Sequence, residues 1–297
     1  MLHFNALKLE DKPFFEEYTL CHGYHNVEAS FANIFLWGKL WNIKMAVDEY
    51  AMYLLLDNGK RFFMLPPYLQ DCDINIGKPL KKCEEYMLGR YGTFIMKGFT
   101  EEIKNKTQND CPGEYVFTAD RANFEYVYLS SDLCKLEGKK YHAKRNHINK
   151  LIKNHSFTYR RYTNDDYESC IALERSWMQN KSNISEGLNQ ELIVIQNALL
   201  NLDALNLVCG LLFVDNMLQA FSIGEKFGDD MAIIHIEKAN PDMSGAYALI
   251  NREFAINEWR DVKYINREED MGLEGLRKAK LSYYPVFLIK KYDCVKG

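Results

Sequence analysis

The hydrophobic pattern changes period several times along the chain, and the changes mark its elements. Phe14, Phe15, Tyr18 and Cys21 recur at helical spacing over 12–22, with Asp11 and Pro13 as a start signal. Residues 31–41 are apolar and aromatic with no clean alternation. Strand-length runs follow at 43–47, 50–56 and 61–65. Asp57-Asn58-Gly59 is a hairpin signal between the last two, and Pro66-Pro67 a stop. The pattern then reads helix at 78–90, strand at 93–99 and helix at 101–108, with a strand-like run at 124–129. The second half predicts strand 157–162, helix 165–179 capped by Asn164 or Asp165, and helix 189–201. Strands 205–214 and 218–226 flank the turn signal Asp215-Asn216, and strand 231–238 follows. Helix 246–259, strand 264–266, helix 273–281 and a closing strand at 285–291 complete the order.

Residues 139–153, KKYHAKRNHINKLIK, break from both halves. They hold six Lys or Arg and no acid. Tyr141, Ile148 and Ile152 fall on one helical stripe, which predicts an amphipathic helix with a cationic opposite face. Its place near the midpoint predicts a domain junction: an N-terminal domain 1–135, a basic connecting helix 136–155 and a C-terminal domain 156–297. The order of elements is similar in the two halves, giving an α/β (α+β) fold of two domains with mixed, mainly antiparallel sheets.

Composition sharpens this only in part. The 297 residues suit two ordinary domains, and 47% hydrophobic with 26% charged residues excludes disorder as the main theme. The net charge of −4 argues against a basic nucleic-acid binder as a whole, yet it conceals the basic helix. Aromatic content is high, with 19 Tyr and 17 Phe, as packed sheets or a lined cleft require. Lys8, Glu10, Asp11 and Lys12 stand where a signal peptide would be apolar, and no run approaches about 18 apolar residues. The expectation is a cytoplasmic protein without a transmembrane segment, its eight cysteines reduced and mostly buried. Cys21, His22 and His25 lack a second ligand pair, so no metal is expected.

Three segments resemble one bacterial family. SFANIFLW (30–37), LEGKKYHAKRNHINK (136–150) and INREEDMGLEGLRKAK (265–280) are similar to the C-terminal domain of phosphatidylglycerol lysyltransferases. The resemblance covers nearly the whole chain and implies two tandem GNAT-like domains, as in FemABX-like peptidyltransferases. It also implies transfer of an aminoacyl group from aminoacyl-tRNA to an amine or hydroxyl acceptor. Lipid-modifying members carry a large membrane portion ahead of this domain. Its absence here widens the expected acceptor from a lipid headgroup to a peptide, protein or small molecule.

Acyl transfer needs an unprotonated nucleophile, a place for the developing oxyanion, and positioning of both substrates. Glu268 and Asp270 lie in a charged run after a strand, where carboxylates can orient or deprotonate an acceptor amine or bind the donor's ammonium. Arg267 in the same run suits phosphate or carboxylate. Glu237 on an apolar strand and Asn251, one turn after Tyr247, are further catalytic candidates. Gly245, Ala246 and Tyr247 occupy the place of a phosphate-binding loop, although Asp242 and Tyr247 depart from the usual Q/R-x-x-G-x-G/A pattern. Lys278, Lys280 and Tyr283 could contact tRNA phosphate or the ester region. Lys139, Lys140, Lys144, Arg145 and Lys150 on the basic helix could bind tRNA or, peripherally, an anionic membrane. The structural alternatives stay open: a solvated charged loop, a glycine chosen for close packing, and a solvated interdomain helix. Two other functions also remain: a CoA-dependent N-acyltransferase using acetyl-CoA or acyl-CoA, and a non-catalytic RNA- or membrane-binding protein.

Overall fold

The computed structural model describes residues 2–20, 24–179 and 186–297. Cys21 and His22, and the end of the helix expected over 12–22, lie outside the described residues. The chain forms two compact units, Met1–Glu125 with Glu269–Arg277 and Leu288–Gly297, and Tyr126–Glu268 with Lys278–Phe287.

The first unit is built on one mixed sheet. Its strands are β1 (Asn5–Ala6), β2 (Lys44–Val47), β3 (Ala51–Asp57), β4 (Phe62–Met64), β5 (Tyr68–Leu69), β6 (Ile95–Thr100) and β7 (Tyr115–Ala119), with the C-terminal β15 (Lys291–Lys296) between β6 and β7. Neighbours are antiparallel except β4 and β6, which are parallel and meet at Met64↔Met96. Helices α1 (Lys12–Thr19), α2 (Phe31–Trp41), α3 (Gly77–Tyr91) and α4 (Glu101–Asp110) complete the unit. Tyr53, Leu55, Met64, Leu80, Met87 and Phe99 form its core. The apolar run 31–41 is helix α2. Ser30 Oγ caps it by accepting from the Asn33 N–H at 3.0 Å, and left-handed Asn42 ends it. Phe31, Ala32, Ile34 and Leu36 are all buried, so neither strand alternation nor a single helical stripe shows in the sequence.

The second unit holds a seven-stranded sheet in the order β14-β8-β13-β12-β11-β10-β9. These are β8 (Glu125–Leu129), β9 (Phe157–Arg161), β10 (Leu207–Val214), β11 (Met217–Phe227), β12 (Met231–Ala239), β13 (Tyr264–Asn266) and β14 (Phe287–Ile289). Between them run α5 (Ser130–Lys135), α6 (His142–Asn154), α7 (Tyr167–Gln179), α8 (Glu186–Leu200), α9 (Leu202–Leu205) and α10 (Ala246–Glu258); of α11 (Glu274–Leu281) the residues up to Arg277 belong to the first unit and the rest to the second. The helix expected at 165–179 starts later. Asp166 and Thr163 make the cap, Asp166 Oδ2 accepting from the Thr163 N–H at 2.8 Å.

Three expectations change. The basic helix is real, but it begins at His142, after a turn that buries Tyr141. Its buried side is therefore Ile148 and Leu151, while Ile152 is 39% exposed. The domain limits 1–135, 136–155 and 156–297 also differ from the units observed. Tyr128 pairs with Ile265, which draws 126–135 and the basic helix into the second unit. The expected closing strand at 285–291 is β14 followed by β15, and Tyr292 pairs with Phe99 and Ala119 in the first sheet. Local patterns carry no record of such long-range pairing.

Among the described residues seven cysteines are free and five of those are buried. Among them, too, no helix is long and apolar enough to cross a membrane.

Candidate active site

The parallel strands β12 and β13 stay together for three pairs only, Met231↔Tyr264, Ala232↔Ile265 and Ile233↔Asn266. Beyond these they part. β12 continues to Ala239 against β11 alone, while β13 ends and the chain turns through Glu268 at φ +56°. Separation of two parallel strands at their C-terminal ends opens a cleft. A β-bulge adds to it. Ile223 pairs with Ile236 and Gly224 with Ile234, so His235 is an extra residue on β12. Gly224 is required there, because a Cβ would lie 2.5 Å from the Ile233 carbonyl oxygen.

Charged side chains fill the opening. Arg267 Nη2 donates to Glu237 Oε1 at 2.8 Å, and Asn251 Nδ2 donates to Glu237 Oε2 at 3.1 Å. The Arg267 guanidinium lies 4.9 Å from the Tyr283 ring centroid and 5.7 Å from that of Tyr128. Lys144 Nζ sits 3.9 Å from the Tyr283 centroid and takes no hydrogen bond among the described residues. Burial, then the like charge of Arg267, lowers the Lys144 pKa to about 8. Three buried polar atoms here have no hydrogen-bond partner among the described residues, Arg267 Nη1, Asn251 Oδ1 and Trp259 Nε1. Behind Glu237 and Asn251 the wall is apolar, with Phe254, Trp259 and Ile265. Two cations to one carboxylate leave the opening with a positive surplus, and a buried donor with nothing to bond to suits a ligand oxygen.

The bulged His235 ties the strands together just past their last pair. Its Nδ1 lies 2.7 Å from Glu268 and its Nε2 2.9 Å from Glu225. Burial opposes its charge, but hydrogen bonds to the two carboxylates outweigh that and push its pKa up to about 10. It is an imidazolium at neutral pH.

The structure thus gathers Glu237, Asn251, Arg267, Lys144 and Tyr283. Glu268 belongs to the His235 tie beside them. Tyr247 lies near Trp177 and the Ala239 backbone, and burial raises its hydroxyl to about 12. Asp270 is elsewhere. It is fully buried in the first unit and accepts from Arg277 Nε at 2.8 Å, Arg277 Nη2 at 2.9 Å and Arg121 Nη1 at 3.2 Å. That arrangement uses its carboxylate for the fold. Lys280 is also structural, its ammonium bonded to the Arg267 carbonyl. Arg145 turns back onto the carbonyls of Leu136 and Gly138. Lys140 pairs with Asp132 at 2.9 Å, and Lys139, Lys150 and Lys278 are exposed.

Gly245 precedes α10 at φ +97°, and a Cβ there would lie 2.6 Å from the backbone oxygen of His147 on α6. Ala246 beside it is fully buried. The close approach of α6 fits the packing reading of Gly245 better than an open phosphate loop. Gly245→Ala should therefore destabilise the second unit by about 2–3 kcal/mol, from left-handed strain and the clash together. Urea unfolding measures this, and an unchanged midpoint would contradict the close approach.

Sequence reasoning missed Glu225 and the role of His235, because a bulge leaves no mark in the alternation of a strand. It also missed a buried cluster one residue from Glu237. Lys238 Nζ lies 3.3 Å from Glu174, 2.8 Å from Glu191 and 3.9 Å from the Trp177 ring centroid.

The family profile of the phosphatidylglycerol lysyltransferase C-terminal domain matches residues 23–295. The chain belongs to this family. A solved structure described as a conserved protein of unknown function from Bacteroides thetaiotaomicron is similar over 100% of both chains, at 34% identity and TM-score 0.93. The structure of L-PGS from Bacillus licheniformis is similar over 96% of this chain and 91% of its own, at 14% identity and TM-score 0.66. A tandem GNAT protein from the clavulanic acid biosynthesis pathway matches over 100% and 98%, at 10% identity and TM-score 0.56. The family's fold is thus two tandem GNAT-like domains with mixed sheets, as its resemblance implied. No curated protein matches the chain in sequence.

Proposed function

We propose that this protein is an aminoacyltransferase that moves an aminoacyl group from aminoacyl-tRNA to an amine or hydroxyl acceptor. Family membership supports the reaction class. The observation that carries it to a site is Arg267, a buried guanidinium with Nη2 spent on Glu237 and Nη1 unspent.

The acceptor nitrogen or oxygen attacks the ester carbonyl carbon, and negative charge grows on the carbonyl oxygen. Arg267 Nη1 is the donor for that oxyanion, held rigid by Glu237 and two aromatic rings. As the bond to the tRNA 3′ oxygen breaks, the Lys144 ammonium gives that oxygen a proton and regains one from the attacking atom. A pKa near the working pH suits such a shuttle. Exposed Lys139, Lys150 and Lys153 on and before α6 are available to tRNA phosphates. The acetyl-CoA alternative is disfavoured by the crowding of Gly245.

Incubation with tRNAs charged with different amino acids, with and without candidate acceptors, tests the proposal. Faster loss of the ester in the presence of protein is expected. Spontaneous rates throughout would refute it. The Lys144 assignment also sets a pH profile. kcat/KM should fall as pH rises above about 8, because Lys144 then loses the proton it must donate. Lys144→Met should remove that limb of the profile; the same limb persisting in the variant would clear Lys144 of the role.

A further inference from the structure

The transfer step proposed above makes no use of His235, a buried residue beside the opening. We propose that His235 is a positioning residue for Arg267: by joining Glu225 on β11 to Glu268 after β13, it fixes the backbone turn from which Arg267 reaches Glu237. The kinetic consequence rests on the transfer reading; the positioning itself does not.

Arg267 is the first residue past β13, where the ladder to β12 has already ended at Ile233↔Asn266. On the side of β8 the backbone is still held. The Arg267 N–H donates to the Tyr126 carbonyl at 2.9 Å, and the Tyr126 N–H donates to the Glu268 carbonyl at 3.1 Å. On the side of β12 two side-chain links take over. Arg267 Nη2 reaches Glu237 at 2.8 Å, and Glu268 Oε1 lies 2.7 Å from His235 Nδ1. The first link spends part of the guanidinium itself. The second leaves it free and holds the backbone next to it. A long side chain presents a donor at a fixed point only when its own backbone is fixed. Glu268 stands at φ +56°, a left-handed conformation that a non-glycine residue keeps when its surroundings impose it. Asn266 Oδ1 acts from within the turn, accepting from the Glu268 N–H at 2.9 Å. The His235 tie reaches the turn from another strand.

The residue type suits this task. An imidazolium has two N–H donors on opposite edges of a rigid ring. Nδ1 serves Glu268, and Nε2 serves Glu225 at 2.9 Å. A neutral ring donates to only one of them. The pKa of about 10 keeps both donors in place at neutral pH. The side chain is 4% exposed, so water does not compete for either bond. The bulge supplies His235 as an extra residue on β12 and re-aims its side chain. Gly224 permits the close approach of the strands there.

Isosteric variants of the full chain separate the two bonds. Asparagine places its amide nitrogen near Nδ1 and still donates to Glu268. Glutamine places its amide nitrogen near Nε2, so it reaches Glu225 and drops Glu268. Side-chain nitrogen NMR reads the tie without any reaction. In the wild type at pH 8, His235 should show both ring nitrogens protonated. Arg267 should show separate Nη signals, the mark of a guanidinium that does not rotate. His235→Gln should merge the Arg267 signals, and His235→Asn should not. With charged tRNA, His235→Gln should lower kcat about 10–100-fold at an unchanged KM, while His235→Asn keeps most of kcat. Thermal unfolding shows whether each variant is folded. If His235→Gln does not fold, Glu268→Asn breaks the same tie from the other end. Asparagine tolerates the left-handed backbone but is one carbon shorter, so it withdraws from His235 and should reproduce the glutamine result. A singly protonated His235, unmerged Arg267 signals in the folded tie-breaking variant, or equal loss of kcat in His235→Gln and His235→Asn would each overturn the proposal. A wild type that transfers nothing would count against the transfer reading alone, since the NMR result still decides the tie.

Discussion

Arg267→Lys should lower kcat for aminoacyl transfer by about 10²–10³-fold while leaving the KM for charged tRNA nearly unchanged. Lysine keeps the positive charge but not the planar fork. One ammonium cannot hold Glu237 and also present a fixed second donor to a developing oxyanion. Because that donor acts on charge present only in the transition state, the loss belongs to kcat. The partner variant Glu237→Gln should cost less, since it frees Arg267 to move without removing either of its arms. Single-turnover kinetics separates chemistry from binding. A pure KM effect would place Arg267 in ground-state tRNA binding, and no effect would remove it from the site.

The largest stability effect should come from Lys291→Met. Lys291 Nζ lies 2.5 Å from Glu125 and 2.5 Å from Glu28, with Lys291 3% and Glu125 0% exposed. Burial alone would lower the Lys291 pKa, but the carboxylates raise it well above the usual lysine value. Methionine matches its length but takes from buried Glu125 the ammonium 2.5 Å away. Breaking such a pair from one side costs about 3–5 kcal/mol. Lys291 also opens β15, so the loss should loosen the C-terminal strand in the first sheet. Urea unfolding followed by amide exchange of β15 measures both. Lys291→Met with Glu125→Gln should recover much of the loss, because the carboxylate that paired with the ammonium is then neutral. Failure to recover would mean that packing, not charge, sets the cost.

Glu237, Asn251 and Arg267 were legible as candidates because an acid on an apolar strand and a charged run after a strand are unusual local events. Nothing local says that they meet. Asp270 reads the same as Glu268 in the sequence, two residues away in one acidic run. The backbone turn with Glu268 at φ +56° and Met271 at φ +51° sends one to His235 and the other to Arg121 and Arg277. Lys144 stood among six basic residues of one segment. Only its place against Tyr283 and Arg267 distinguishes it from Lys139 or Lys150, which stay in water.

By itself the sequence determined what short-range physics encodes: the period of each helix and strand, the turns at Asp57-Asn58-Gly59 and Asp215-Asn216, the basic segment and the family segments. Side-chain period and turn chemistry act over a few residues, so they are written where they act. The tertiary structure decided the rest: that β15 completes the first sheet, that β8 joins the second, that His235 bulges, and that β12 and β13 part where Arg267, Glu237 and Lys144 gather. Strand pairing and buried charge matching depend on residues up to 263 positions apart, as Lys291 and Glu28 are, and no local pattern records such a partner.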